Sequence, residues 1–262
     1  MPVIRHRDAD RAQASRCATR RVSQPLPRTT LVRQFDTFRL IPSRFAPRED
    51  SVLTGIADDD AHLADLFQLD NATNERLRGE RGLLPGIGVD ELVFGVPNFR
   101  MINAAYTYAH PQGSRFNGPQ RGAWYCSFEV ETALAEVAFH KSVEYQEIGR
   151  FDDSVTYEVL LADFTHEFHD LRRDKRFASC LDGQSYVASQ RLAGRLMDKG
   201  SVGVLYPSVG RAQGTNLACF RPAIVGNVRR GDAYRLTWAG DPAPKIKLER
   251  RAAKPRTRRH RT

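Results

Sequence analysis

The sequence is poor in the residues that mark several common classes of protein. Its 262 residues hold four cysteines, at positions 17, 126, 180 and 219, and none of them forms a C-x-x-C pair. That spacing argues against a structural zinc site and against a disulfide framework, leaving buried or idle thiols. No run of about eighteen apolar residues occurs, so no membrane-crossing helix is expected. The opening stretch "MPVIRHRDADRAQASR" carries charge but no apolar segment of the kind an export signal needs, and the expected location is the cytoplasm, away from membranes. A Walker loop and a G-x-G-x-x-G are both missing, which sets aside P-loop and Rossmann nucleotide sites. "HEFHD" (166–170) is not H-E-x-x-H, and its two histidines are three apart on a strand or loop, so no metal is expected there.

What is abundant is positive charge, and its placement matters more than its total. The formal net charge is +9. Residues 1–34 carry eight Arg against two Asp, and residues 245–262 carry nine Lys or Arg against one Glu, so the stretch between them is mildly acidic, at −5. Blocks of like charge at chain ends are usually solvated and disordered. The expected organisation is therefore a basic disordered leader over 1–34, a single folded domain over 35–244 with a helical insertion near 55–85, and a basic disordered tail over 245–262. The tails have the charge to touch nucleic acid weakly, to dock an acidic protein, or to help two copies associate into a homo-oligomer. A nucleic-acid-binding module working through them is the rival reading, and it predicts affinity that falls steeply with salt. The acidic body argues against it.

The apolar pattern supplies the elements. "TFRLIP" (37–42) reads as a short strand stopped by its proline. "ELVFGVP" (91–97) and "FRMINAAYTYA" (99–109) read as β-like. In "SFEVETALAEVAFHK" the residues Val130, Ala133, Leu134, Val137 and Ala138 recur at helical spacing, with Ser127 as the expected N-cap. "SVTYEVLLA" (154–162) alternates as a half-covered strand does. A second helix is expected over 184–200, ending at Lys199 and Gly200, then a strand over 202–208. Further strands are expected in "NLACF", "AIVGNV" and "YRLTW". Helices and strands do not alternate regularly, so the fold class is α+β, with mixed or antiparallel sheets flanked by helices.

Two stretches carry the chemistry: "SRFN…G…WYCS…ETALAE", within 114–136, and "GSVGVLYPSVGRAQGTNLACF" (200–220). Together they resemble the RES-domain family, named for an Arg, a Glu and a Ser, over roughly residues 39 to 238. The resemblance implies an ADP-ribosyltransferase-like layered fold and a bacterial toxin that consumes NAD+ and is restrained by a cognate antitoxin. It matches the family's Arg to Arg115, its Glu to Glu136 and its Ser to Ser208. It also implies a ring near the nicotinamide at Tyr125, an Asn near the Ser at Asn216, and a first-strand arginine at Arg39.

The residue types suit those positions. The planar fork of an arginine offers parallel donors to phosphate oxygens, so Arg39 and Arg115 are candidates to grip a pyrophosphate. Breaking the nicotinamide–ribose bond passes through an oxocarbenium-like state, which a carboxylate such as Glu136 can stabilise. Tyr125 with Trp124 could wall the nicotinamide, and Ser208 could donate to its amide or to a ribose oxygen. Each has a plainer reading. Glu136 sits about 120° from the centre of its helix's apolar stripe at 100° per residue, as an ordinary solvated glutamate does. Arg115 alone reads as a surface or salt-bridge arginine, Tyr125 as a core ring with a wet hydroxyl, and Ser208 as a turn residue.

Overall fold

Two long strands form the spine of the molecule. The computed structural model describes residues 25–46 and 86–249, which leaves the expected helical insertion near 55–85 and Cys17 outside the described residues. Strand β1 (Thr29–Pro42) runs antiparallel to β3 (Asp152–Asp170), with pairing from Thr29↔His169 to Pro42↔Tyr157 and a register shift between Gln34 and Thr37. Both are rich in the β-branched and aromatic residues that fit a pleated, half-buried surface. Three short strands, β2 (Trp124–Ser127), β4 (Gly203–Pro207) and β5 (Thr215–Cys219), join them, and β6 (Gly226–Ala239), as long as β1, pairs with β3. The sheet order is β1-β2-β5-β4-β3-β6-β7, with β7 spanning Lys245–Glu249. Because β1 pairs with both β2 and β3, the first five strands in that order return on themselves. The β3–β4 pairing is parallel and the other strand pairings are antiparallel. This is a mixed-sheet α+β architecture.

Among the described residues three α-helices cover it. Helix α1 (Phe99–Thr107), α2 (Val130–Ile148) and α3 (Val187–Asp198) each bury a different set of residues. Inside the returned strands, Tyr106 of α1 joins Trp124, Leu160, Phe164, Phe168, Leu205 and Leu217. On another face, Leu192, Ala193 and Leu196 of α3 meet Val204, Tyr206, Ala218 and Phe220. Leu134 and Tyr145 of α2 pack on Leu236 and Trp238. The described thiols at 126, 180 and 219 are free and buried, and burial pushes Cys126 up to about 12 and Cys219 up to about 11.

Several expectations are corrected. Residues 99–107 form a helix and not a strand: Ile102, Ala105 and Tyr106 are buried at helical spacing, a pattern that outweighs their β-like composition. Residues 91–97 form no strand, and a 3-10 turn occupies Val89–Glu91. "AIVGNV" is divided between a 3-10 turn at Pro222–Ile224 and the start of β6. Residues 29–34, assigned to the leader, belong to β1, and 245–249, assigned to the tail, form β7. In both cases the backbone pairs with a neighbouring strand, which a count of charge does not see. Ser127 lies in β2 and is not the cap; Glu129 occupies the N-cap position of α2 and makes no side-chain cap bond.

The end of α1 lies hard against the entry to β2. A Cβ added at Gly122 would stand 2.1 Å from the Ala105 carbonyl oxygen, while the Gly122 N–H donates to the Tyr106 carbonyl at 2.8 Å. Backbone cannot yield as a flexible side chain would. Gly122→Ala is expected to lower stability by about 1–3 kcal/mol, as overpacking does, measured by denaturant unfolding. An unchanged midpoint would show that α1 shifts freely.

Candidate active site

Glu136 sits in the second turn of α2, and its carboxylate turns toward the β4–β5 hairpin instead of into solvent. Its side chain is 21% exposed. One oxygen, Oε1, accepts from Ser208 Oγ at 2.5 Å and Asn216 Nδ2 at 2.9 Å, with the Gly210 N–H at 3.5 Å. Asn216 is fixed from its other side, since Ser127 Oγ donates to Asn216 Oδ1 at 2.6 Å. Ser208 Oγ in turn accepts from the Arg211 N–H at 3.0 Å, and the Ser208 N–H donates to the Gly214 carbonyl at 2.8 Å. The hairpin thus holds one carboxylate oxygen with three donors. The described neighbour of Oε2 is His140 Nε2, one helical turn on, at 3.8 Å.

This carboxylate borders a cleft of about 530 Å3 whose lining includes Arg39, Arg115, Tyr125, Glu136, His140 and Asn216. Its volume falls in the range usual for small-molecule sites, about 300–1,000 Å3. Arg115 is 7% exposed. Its Nη1 donates to the Asp182 carbonyl at 2.7 Å and the Cys180 carbonyl at 3.3 Å, and the guanidinium lies 4.9 Å from the centre of the Tyr186 ring. Arg39 reaches across from β1, donating to the Tyr125 carbonyl at 3.1 Å and stacking 5.0 Å above the Trp124 ring. Burial draws the Arg39 guanidinium below its ordinary pKa, partly opposed by Cys126, Tyr106 and Tyr125.

Tyr125 lines the cleft with its hydroxyl committed. The hydroxyl donates to Asn117 Oδ1 at 2.7 Å and accepts from the Phe116 N–H at 2.9 Å, and burial raises its pKa. Asn117 is itself held by Nδ2 bonds to the Gly118 and Arg121 carbonyls, both at 2.9 Å. The "RFN" and "WYC" segments are therefore one hydrogen-bonded unit, with Tyr125 among the residues that line the cleft.

Arg39, Arg115, Tyr125, Glu136 and Asn216 all line this cleft, while Ser208 stands beside it and touches it through Glu136. Trp124, expected beside Tyr125 as a second wall, is fully buried in the core and faces Arg39. The sequence reading missed His140, Tyr186 and Tyr206 as lining residues. For His140 a signal existed, because four residues from Glu136 is the spacing that puts two side chains on one helix face. In "HEFHD", His169 Nδ1 is bonded to the Pro27 carbonyl at 2.7 Å. Among the described residues no group of three His, Cys, Asp or Glu is placed to hold a metal ion, and no helix is long and apolar enough to cross a membrane.

A family model, the RES domain, matches residues 92–239. The chain belongs to the RES-domain family. The matched span holds the hydrogen-bonded unit around Tyr125, the whole of α2 and the β4–β5 hairpin, and leaves Arg39 on β1 outside it. Among solved structures the RES chain is similar to one in the crystal structure of the M.tuberculosis MbcT-MbcA toxin-antitoxin complex, with 18% identity and a TM-score of 0.37 over 48% of this chain and 73% of that one. No curated protein matches.

Proposed function

We propose that this RES-domain protein is a toxin-type enzyme that consumes NAD+ by cleaving the nicotinamide–ribose bond, with water or phosphate taking the ADP-ribosyl group. The observation that carries the reading is the Glu136 carboxylate, pinned through one oxygen at the edge of a cleft whose wall also bears two arginines and a tyrosine ring. As the bond to nicotinamide breaks, positive charge spreads over C1′ and the ring oxygen of the ribose. A carboxylate already fixed in place stabilises that charge without reorganising. Arg115 and Arg39 are suited to the pyrophosphate, and the Tyr125 ring, its hydroxyl being tied back, to the face of the nicotinamide. Ser208 acts in this reading through Glu136 and not on the substrate. NAD+ is a substrate here, and no metal has a part in the proposed step.

A cognate antitoxin partner belongs to the same proposal and rests on the family resemblance. Transfer to a protein side chain would use the same leaving group and the same carboxylate, so the acceptor is settled by products. Purified protein is incubated with NAD+, with and without phosphate or cell lysate, and followed by mass spectrometry. Nicotinamide with ADP-ribose, with ADP-ribose phosphate, or with a modified protein marks hydrolysis, phosphorolysis or transferase activity respectively. No nicotinamide under any condition, together with harmless expression in cells, would end the proposal.

A further inference from the structure

We propose that His140 is the general base that activates water as the acceptor, a role that rests on the NAD+ reading and separates two acceptors within it. His140 lines the same cleft as Glu136, its side chain is half-exposed, and its Nε2 lies 3.8 Å from Glu136 Oε2. Oε1 is already occupied by three donors, so Oε2 is the oxygen left to face the ribose, and the imidazole lies beside it. A molecule near C1′ is then within reach of both groups. The charged groups facing the ring are Glu136 and Glu144 from α2 and Arg115 from the segment before β2; burial, with Arg115, outweighs the two carboxylates and holds the imidazole below its usual pKa. An imidazole shifted in that direction is the better able to accept a proton near neutral pH.

The step balances with water alone. A lone pair on the water oxygen forms the bond to C1′ while the C1′–N bond breaks, and that bond's electron pair passes to the nicotinamide ring nitrogen and cancels its charge. One water proton goes to His140 Nε2 and from there to solvent. Phosphate as its dianion presents an oxygen with no proton to remove, so phosphorolysis at the same carbon needs no base.

The test is the ratio of ADP-ribose to ADP-ribose phosphate formed by wild-type protein and His140→Gln in a fixed phosphate buffer. A ratio does not depend on how much of the variant is folded. The expected result is a fall of about 10²-fold or more in the hydrolytic product relative to the phosphorolytic one, the usual worth of a positioned base. Wild-type hydrolysis should also lose rate on the acid side with a midpoint below the ordinary histidine value of about 6.5, and this limb should be missing from the residual hydrolysis of the variant. An unchanged ratio overturns the assignment, whether both rates fall together or neither does. If the wild type releases no nicotinamide with either acceptor, the failure lies with the NAD+ reading itself.

Discussion

Glu136→Gln is expected to lower kcat for nicotinamide release by about 10²–10³-fold, the loss found when one pre-aimed electrostatic group is removed from a transition state. The amide keeps the shape of the carboxylate, and its oxygen can still accept from Ser208 Oγ and Asn216 Nδ2. Its NH2 then takes the place of Oε2 and turns a donor toward a carbon that is becoming positive. The ground state of bound NAD+ has no such charge at C1′, so KM should move far less than kcat. Thermal stability should stay near wild type. Glu136→Ala differs on this last point, because it strips the partner from a buried Asn216, a loss of about 1–3 kcal/mol. Steady-state kinetics with both variants, beside their melting curves, separates catalysis from folding. An unchanged kcat in Glu136→Gln would remove the carboxylate from the chemistry.

The placement of Glu136 also shows where a single sequence stops being legible. The apolar stripe of α2 is plain in the spacing, and Ala133 and Leu134 are buried as it implies. A helical wheel then assigns Glu136 to solvent, because it counts apolar neighbours and has no knowledge of polar ones. The three donors that draw the carboxylate inward lie on a hairpin 72 to 80 residues further along the chain. Ser127 fails for the same reason: its local surroundings suit a cap, while its partner Asn216 is 89 residues away. The length of β1 was hidden likewise, since its pairing with β3 joins residues such as Thr37 and Ala162, 125 apart. In β7 the basic residues alternate with Ile246 and Leu248, and the charge run masked the strand. Helix α1 was legible but misread, because Ile102, Ala105 and Tyr106 already carried the helical spacing. The family motifs put Arg115, Tyr125 and Glu136 forward as one candidate set, and in the structure all three line one cleft.

Arg115→Lys is expected to raise KM for NAD+ by about 10- to 100-fold, the equivalent of one charge-assisted contact worth about 1.5–3 kcal/mol, with a smaller change in kcat. The guanidinium has two tasks in the structure. Nη1 ties the cleft to the carbonyls of residues 180 and 182, and the planar face rests on Tyr186. In the proposed reading the remaining donors of the same fork take a phosphate pair, and its rigid geometry would let it serve both at once. A lysine ammonium is a single compact charge whose three donors converge on one point, so holding the carbonyls leaves it badly placed for two phosphate oxygens. If Arg115 were only a brace for the 175–182 segment, Arg115→Lys would lower the melting temperature and leave KM untouched. If it grips substrate, KM rises even where stability is kept. The salt dependence gives a further check, because screening weakens exposed ion pairs more than buried ones. KM of the wild type should rise with ionic strength less steeply than that of the lysine variant, whose longer, solvated contact is open to counterions. Equal slopes with equal KM would confine Arg115 to bracing the cleft wall.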